Sequence, residues 1–210
     1  MLKHEIFKEG LALIASKNIN AFVLYVLERL PDYFWTVPAS ASGKYHGGEL
    51  LVDHVLGCVA MGAKVCEQQK GWTQRQKDQL IAAVILHDGW KCGDGEKKYT
   101  EEDFKKGYCV ESSIGLSMTN KDHAEICYQN MLKLVEEYNK VAEFKIGPSE
   151  YMEMAWGIRY HMGPWTPASD KIPPFDFKWS YDSVIVQVHN VDYHQTKNSM
   201  WFRGEHDKNN

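Results

Sequence analysis

Apolar residues recur at three- and four-residue spacing along most of this chain, and that spacing is typical of amphipathic helices. It predicts two short helices at the start, broken near Lys17, and three longer helices further on. The predicted ranges are 3–30 for the broken pair, then 49–69, 121–141 and 178–197. The run VIVQV at 184–188 resembles a strand, but it continues into HNVDYHQ without turn residues, which favours a helix.

Two further helices are indicated by their first residues. Thr73 with Gln76 three positions later is a capping-box signature, and it opens a helix that is expected to reach His87. Pro148 suits the first position of another helix, which is expected to end at Gly163. Because the clear periodic segments are helical, the chain is predicted to be all-α.

Polar segments rich in proline, serine and glycine connect the helices. They cover residues 30–48, residues 89–120 and a loop that contains Pro167, Pro173 and Pro174. The second segment is long for a connection, and at most one turn of helix is predicted in it, at 100–104. Small hairpins in the long loops are also compatible with the sequence. Long ordered loops often carry function, so these segments are expected to be functional loops.

Composition narrows the choice of function. The chain has 210 residues and a formal net charge of −4, which suits one domain and weighs against strong binding to duplex nucleic acid. The composition is compatible with a small anionic substrate and with an oligomer. Five cysteines form no C-x-x-C pair, and they are interpreted as reduced core thiols of a cytoplasmic protein. No apolar run is long enough to cross a membrane, and the start lacks the pattern of a signal peptide.

Five polar residues lie on helix faces that are otherwise apolar and should face the core. They are His54, His87, His123, His161 and Asp192. For any one of them, a hydrogen-bonded core residue is the commoner explanation. Five together, with Asp88 beside His87, instead indicate a metal site, because helical proteins build such sites from imidazole and carboxylate groups in their cores.

Three segments resemble the HD phosphohydrolase superfamily. LHDGWK at 86–91 is similar to its defining motif, GGELLVDH at 47–54 to the segment with its first ligand histidine, and VHNVDYHQ at 188–195 to its closing segment. The order matches, and the similarity covers about residues 45–197. The chain is also similar to small HD proteins encoded by bacteriophages. It departs from the family in Gly89 after the His-Asp pair and in the long segment before His123.

The resemblance implies six metal-binding residues: His54, His87, Asp88, Asp192, His123 and His161. The last two, His123 and His161, complete a site for two metals. It assigns Asp88 as a bridging ligand and catalytic residue beside a metal-activated hydroxide. Lys91 is assigned as a second catalytic residue that reaches the substrate phosphate, although a solvated loop lysine is the plainer interpretation. Nitrogen and oxygen ligands suit two divalent ions among Mn, Fe, Co, Ni and Zn, with Mg a further candidate.

Residues beside these segments are candidates for substrate binding. His46 precedes the Gly-Gly step and could donate to the substrate, although a surface loop position is equally consistent with the sequence. Trp165 could stack on a base, as could Tyr160, but aromatic residues here are more often part of the core. His189 lies one turn before Asp192 and could support it.

The function implied is hydrolysis of a nucleotide-type phosphoester, which covers monoesters, cyclic or linear diesters and deoxynucleoside triphosphates. A di-iron oxygenase of the myo-inositol oxygenase type would use the same six ligands, and an inactive metal-stabilised domain is a third alternative. The implied architecture is a single HD-type helical bundle with the metal site in its core. Residues 1–44 would form a helical extension packed on that core, 45–197 the HD domain and 198–210 a polar tail.

Overall fold

The structure of the chain is a computed structural model that describes residues 3–40, 49–93, 110–112, 115–117, 123–166, 174–176, 178–180 and 182–202. Seven α-helices lie within these ranges: α1 (Lys8–Ala12), α2 (Lys17–Leu27), α3 (Leu51–Gln68), α4 (Gln74–Leu86), α5 (His123–Val141), α6 (Pro148–Arg159) and α7 (Val184–Phe202). Short 3-10 helices cover Lys3–Phe7, Asp32–Trp35 and Gly163–Trp165. Strands β1 (Val110–Ser112) and β2 (Gly115–Ser117) pair as an antiparallel hairpin. The all-α prediction is confirmed, with one small hairpin in the long connecting segment.

The starts of α4 and α6 follow the sequence signals, whereas α7 begins at Val184 rather than at the predicted residue 178. The hydroxyl of Thr73 accepts from the backbone N–H of Gln76 at 3.3 Å, and the Gln76 side chain accepts from the Thr73 N–H at 3.0 Å. These two bonds complete the predicted capping box of α4. Pro148 lies in the first turn of α6, and the run at 184–188 is the start of α7 rather than a strand.

A buried carboxylate fixes the N-terminal helices to the bundle. Ser16 caps α2 by accepting from the N–H of Ile19, so the break between α1 and α2 falls at residues 13–16, just before the predicted position. The carboxylate of Asp78 on α4 accepts from the backbone N–H groups of Ala15 and Ser16 at 3.0 and 2.8 Å. Asp78 is 1% exposed, and a carboxylate in that position needs such partners.

Helices α3, α4, α6 and α7 form the centre of the fold. Helix α4 contacts the other three, and α7 also contacts α3 and α6. Helices α6 and α7 approach closely at Gly157, where an added Cβ would lie 2.8 Å from the side chain of Val188. One hydrophobic core extends from Phe7 in the first 3-10 helix to Val191 on α7. The helices therefore share their apolar faces, and polar groups on those faces are forced into contact with one another.

Two helix ends differ from the prediction. Helix α6 ends at Arg159 rather than at Gly163, and the 3-10 helix Gly163–Trp165 follows it. Helix α7 continues to Phe202, beyond the predicted end at residue 197. The predicted turn at 100–104, the start of the 121–141 helix before His123, and the tail from residue 203 lie outside the described residues. In the part of the chain that is described, no helix has both the length and the apolarity needed to cross a bilayer.

Candidate metal centre

The six residues that the sequence predicts as metal ligands lie together in the core. The three helix-borne residues are His54 on α3, His123 at the start of α5 and Asp192 on α7. The other three follow helix ends: His87 and Asp88 come after α4, and His161 comes after α6. Asp192 has an 18% exposed side chain, and the other five residues are at most 1% exposed. The centre is therefore enclosed, with Asp192 on its more open side.

Two of the histidines are oriented by the helices that they follow. The Nδ1–H of His87 donates to the carbonyl of Val84 at 2.8 Å, and that of His161 donates to the carbonyl of Ile158 at 2.7 Å. Each carbonyl belongs to the last turn of a helix and has no partner within the helix. Because Nδ1 carries the proton in this arrangement, the Nε2 lone pair of each ring points into the centre, as a metal-binding histidine requires.

The carboxylate of Asp88 lies between two pairs of histidines. Its Oδ2 atom is 3.5 Å from Nε2 of His87 and 3.9 Å from Nε2 of His54. Its Oδ1 atom is 3.4 Å from Nε2 of His123 and 3.5 Å from Nε2 of His161. The two oxygens of one carboxylate thus face separate histidine pairs, which is the arrangement of a bridging ligand.

Asp192 completes one half of the centre. Its Oδ1 atom is 3.1 Å from Nε2 of His54 and 3.8 Å from Nε2 of His87. In the other half, Nε2 of His123 and Nε2 of His161 are 3.0 Å apart. The six residues and the thiol of Cys58 form two groups whose donor atoms lie within 4.8 Å of one another: His54, Cys58, His87 and Asp192, and Asp88, His123 and His161. Each group could hold a metal ion.

The centre favours ionised carboxylates and, at His87 and His161, neutral imidazoles. Burial acts to raise the pKa of Asp88, but the Lys91 ammonium and the neighbouring histidines hold that pKa well below its usual value. Burial likewise opposes ionisation of Asp192, whose pKa is nevertheless lowered by the hydrogen bond from His54 and by the other imidazoles. Burial lowers the pKa of His87, and it lowers that of His161 to about 3. These are the protonation states in which both residue types bind metals.

The donor set fits a divalent metal. Nε2 of His87 and Oδ1 of Asp88 are buried and make no hydrogen bond with any described residue. An unsatisfied buried polar group costs about 1–3 kcal/mol, and a charged one costs more. A cation among these atoms would satisfy both, because it accepts the imidazole lone pair and neutralises the carboxylate.

Lys91 lies against the carboxylate of Asp88. Its Nζ donates to Oδ2 of Asp88 at 2.6 Å, and its side chain is 12% exposed. The neighbouring carboxylate outweighs the opposing effect of burial and raises the pKa of Lys91, so the ammonium is charged. The plainer interpretation of Lys91 as a solvated loop lysine is therefore wrong for this structure.

The aromatic residues beside the centre divide into two kinds. Trp165 is 64% exposed and stacks on Tyr193 at an interplanar angle of 14°. Tyr160 is fully buried and stacks on Trp156, so it is a core residue. His189 donates from Nδ1 to the backbone carbonyl of His161 at 2.8 Å, which links α7 to the segment after α6. His46 lies outside the described residues.

Sequence reasoning missed one member of the centre. Cys58 is treated above as a core thiol, yet its Sγ lies 3.6 Å from Nε2 of His54. Burial and the carboxylates of Asp192 and Asp88 raise the pKa of this thiol well above its usual value. The spacing was a usable signal, since a residue four positions after His54 lies on the same helix face.

Comparisons with known proteins give no relative for this chain. It matches no protein-family model, and neither a curated protein nor a solved structure matches it.

Proposed function

We propose that this chain is a metal-dependent phosphohydrolase of the HD type that acts on a nucleotide-type phosphoester. The observation that carries the proposal is the position of Asp88, whose two oxygens face separate histidine pairs at 3.4–3.9 Å. A single carboxylate between two sets of donors is suited to holding two cations side by side. That is the arrangement which stabilises both the attacking and the leaving oxygen in phosphoryl transfer.

Each half of the centre has its own ligands. His54, His87 and Asp192 would hold one ion together with Oδ2 of Asp88, and His123 and His161 would hold the other with Oδ1. When bound, two divalent ions neutralise phosphoryl oxygens and lower the pKa of a coordinated water. The mixture of imidazole and carboxylate donors suits Mn, Fe, Co, Ni or Zn, with Mg as a weaker candidate.

The surroundings support a phosphorylated substrate. Lys91 is a charged lysine beside the bridging carboxylate, so it can attract a phosphate that approaches the centre. The exposed pair Trp165 and Tyr193 lies close along the chain to two predicted ligands, His161 and Asp192. Aromatic faces of this kind stack on nucleobases without regard to sequence, which favours a nucleotide over a simple phosphate ester.

The test measures metal content and turnover together. The purified protein is analysed for bound metals and then assayed with Mn, Co or Zn against cyclic nucleotides, nucleoside monophosphates and deoxynucleoside triphosphates. Wild type is expected to release phosphate or a nucleotide product. Asp88→Ala is expected to abolish turnover and to reduce bound metal, because it removes donors from both halves. Asp182→Ala, which changes an exposed carboxylate before α7, is the control and should behave as wild type.

Three results would contradict the proposal. Turnover by Asp88→Ala at the wild-type rate would show that the reaction takes place elsewhere. Oxygen consumption by an iron-loaded protein that hydrolyses nothing would favour the di-iron oxygenase. A fully metal-loaded protein that does neither would favour an inactive, metal-stabilised domain.

A further inference from the structure

Cys58 lies at the edge of the first half of the centre. It follows His54 by one turn of α3, is fully buried, and its Sγ is 3.6 Å from Nε2 of His54. Its sulfur groups with the donor atoms of His54, His87 and Asp192 inside 4.8 Å. The Nε2 atom of His87, which is buried and lacks a hydrogen bond to any described residue, faces the same space.

Three of the six distances among these four donors are close to those between ligands of one tetrahedral ion, and all six are within 4.8 Å. Donors at about 2.0–2.3 Å from a tetrahedral ion lie about 3.3–3.8 Å from one another. The measured separations from His54 Nε2 are 3.6 Å to Cys58 Sγ and 3.1 Å to Asp192 Oδ1, and His87 Nε2 is 3.8 Å from Asp192 Oδ1. One ion could therefore contact all four donors with only small side-chain movements.

The proposed function also gives this ion Oδ2 of Asp88 as a donor, and Lys91 donates a hydrogen bond to that same oxygen. Oδ2 of Asp88 lies 3.5 Å from His87 Nε2 and 3.9 Å from His54 Nε2, but it accepts from the Lys91 ammonium at 2.6 Å. An ion would share that oxygen with a positive charge. The sulfur of Cys58 lies nearer to His54 Nε2 than that oxygen does.

Two other cysteines of the described residues, Cys66 and Cys127, contact backbone groups. Cys127 accepts from the backbone N–H of Trp90 at 3.3 Å, and Cys66 donates to the carbonyl of Lys77 at 3.8 Å. Both sulfurs therefore contact backbone groups. Cys58 differs because its sulfur contacts the ring nitrogen of a predicted metal ligand.

We propose that Cys58 is a ligand of the metal held by His54, His87 and Asp192, an inference that rests on the metal site of the proposed function. On binding, the S–H proton leaves to solvent and the sulfur electron pair forms the bond to the metal, so the net charge of the site falls by one unit, the oxidation state of the ion is unchanged and no redox partner is needed. Thiolate is a soft donor, and it makes this half of the centre select Zn, Co or Fe over Mg and Mn.

The experiment uses Co²⁺ as a spectroscopic probe of the metal-free wild-type protein. A cobalt–thiolate bond gives an intense near-ultraviolet charge-transfer band, whereas a site with only nitrogen and oxygen donors gives weak ligand-field bands alone. The wild type is expected to show the intense band as it binds Co²⁺. Cys58→Ser should lose the band and keep the weak ligand-field bands. It should also bind Zn²⁺ on the order of tenfold or more weakly, because mutation of residues that only hydrogen-bond to metal ligands already lowers metal affinity by that factor.

The controls are Cys66→Ser, two turns further along α3, and Cys127→Ser, which is equally buried. Both should retain the band. Cobalt binding with ligand-field bands and no charge-transfer band in the wild type would overturn the assignment of Cys58 and leave the metal site intact. A band that survives in Cys58→Ser would also overturn it. Failure of the wild type to bind Co²⁺, Zn²⁺ or Mn²⁺ at all would overturn the metal site of the proposed function and this ligand with it.

Discussion

The ammonium nitrogen of Lys91 lies 2.6 Å from Oδ2 of Asp88, and both side chains are largely buried. The lysine follows the aspartate by three residues, and its backbone N–H donates to the Asp88 carbonyl at 3.0 Å, so one turn of chain holds the two side chains together. The pair places a positive charge directly beside a negative one. A phosphate entering the centre would meet that positive charge next to the carboxylate that faces both halves.

Removal of the Lys91 charge should slow hydrolysis without emptying the site. Lys91→Ala is expected to reduce the rate about 10- to 1000-fold, the range seen when one electrostatic donor is lost. Bound metal should stay near the wild-type amount, because lysine offers no ligand to a cation while it is protonated. Steady-state kinetics and metal analysis of the same samples check both statements. Lys64→Ala, at an exposed position on α3, is the control.

The exposed ring of Trp165 should contribute to binding and little to the chemical step. Trp165→Ala is expected to raise KM for nucleotides about 5- to 150-fold, which corresponds to the roughly 1–3 kcal/mol of stacking on one base. The kcat should change much less, and Trp165→Phe should restore most of the affinity. Phe144→Ala is a control, since Phe144 is also exposed but lies between α5 and α6. An unchanged KM in Trp165→Ala would exclude this ring from the substrate site.

A glycine after His161 should be required for stability. Gly163 has a φ of +56°, and an added Cβ would collide with the ring of His189, which donates to the His161 carbonyl. Gly163→Ala should lower the free energy of unfolding by about 1–2 kcal/mol from the backbone alone, and by more from the displaced ring. Urea denaturation measures the change. Gly71→Ala is the matched control, because an added Cβ there meets nothing within 4 Å. Equal stability of the two variants would contradict the role given to Gly163.

The metal-free protein should lose stability as the pH falls below the ordinary pKa of histidine. Burial lowers the pKa of His161 from 6.5 to about 3, so the unfolded chain takes up this proton and the native chain does not. Between those two pH values the unfolded state therefore binds more protons than the native state. The free energy of unfolding declines as the pH falls through that window, by roughly 1.4 kcal/mol per pH unit for one such group.

The contribution of His161 can be isolated with a residue that does not titrate. In His161→Gln, the slope of unfolding free energy against pH between roughly pH 6 and pH 4 should decrease by up to about 1.4 kcal/mol per unit. His194→Gln, at an exposed position on α7, should keep the wild-type slope. An identical slope in His161→Gln and in the wild type would show that His161 binds its proton in the folded state.

Local sequence signals were sufficient for most of the helices. The capping box at Thr73, the proline at position 148 and the periodicity of 184–197 each act within one or two turns of chain, so neighbours along the sequence decide them. The predicted end of α6 at Gly163 was wrong, and a side-chain contact to a carbonyl three residues earlier accompanies the observed end. Helix α6 ends at Arg159, and the ring of His161 then bonds to the carbonyl of Ile158.

The same division holds for the centre. The sequence by itself indicated that His54, His87, His123, His161 and Asp192 are polar among apolar neighbours. Asp88 was added as the neighbour of His87, and the resemblance to the HD superfamily implied the six as one metal-binding set. Only the packing of α3, α4, α5, α6 and α7 decided that Asp88 lies between two histidine pairs, that Lys91 is buried against it and that Cys58 points toward His54. Periodicity specifies which face of a helix is buried, but the distance between atoms on different helices depends on how close-packed side chains fit, which no single segment encodes.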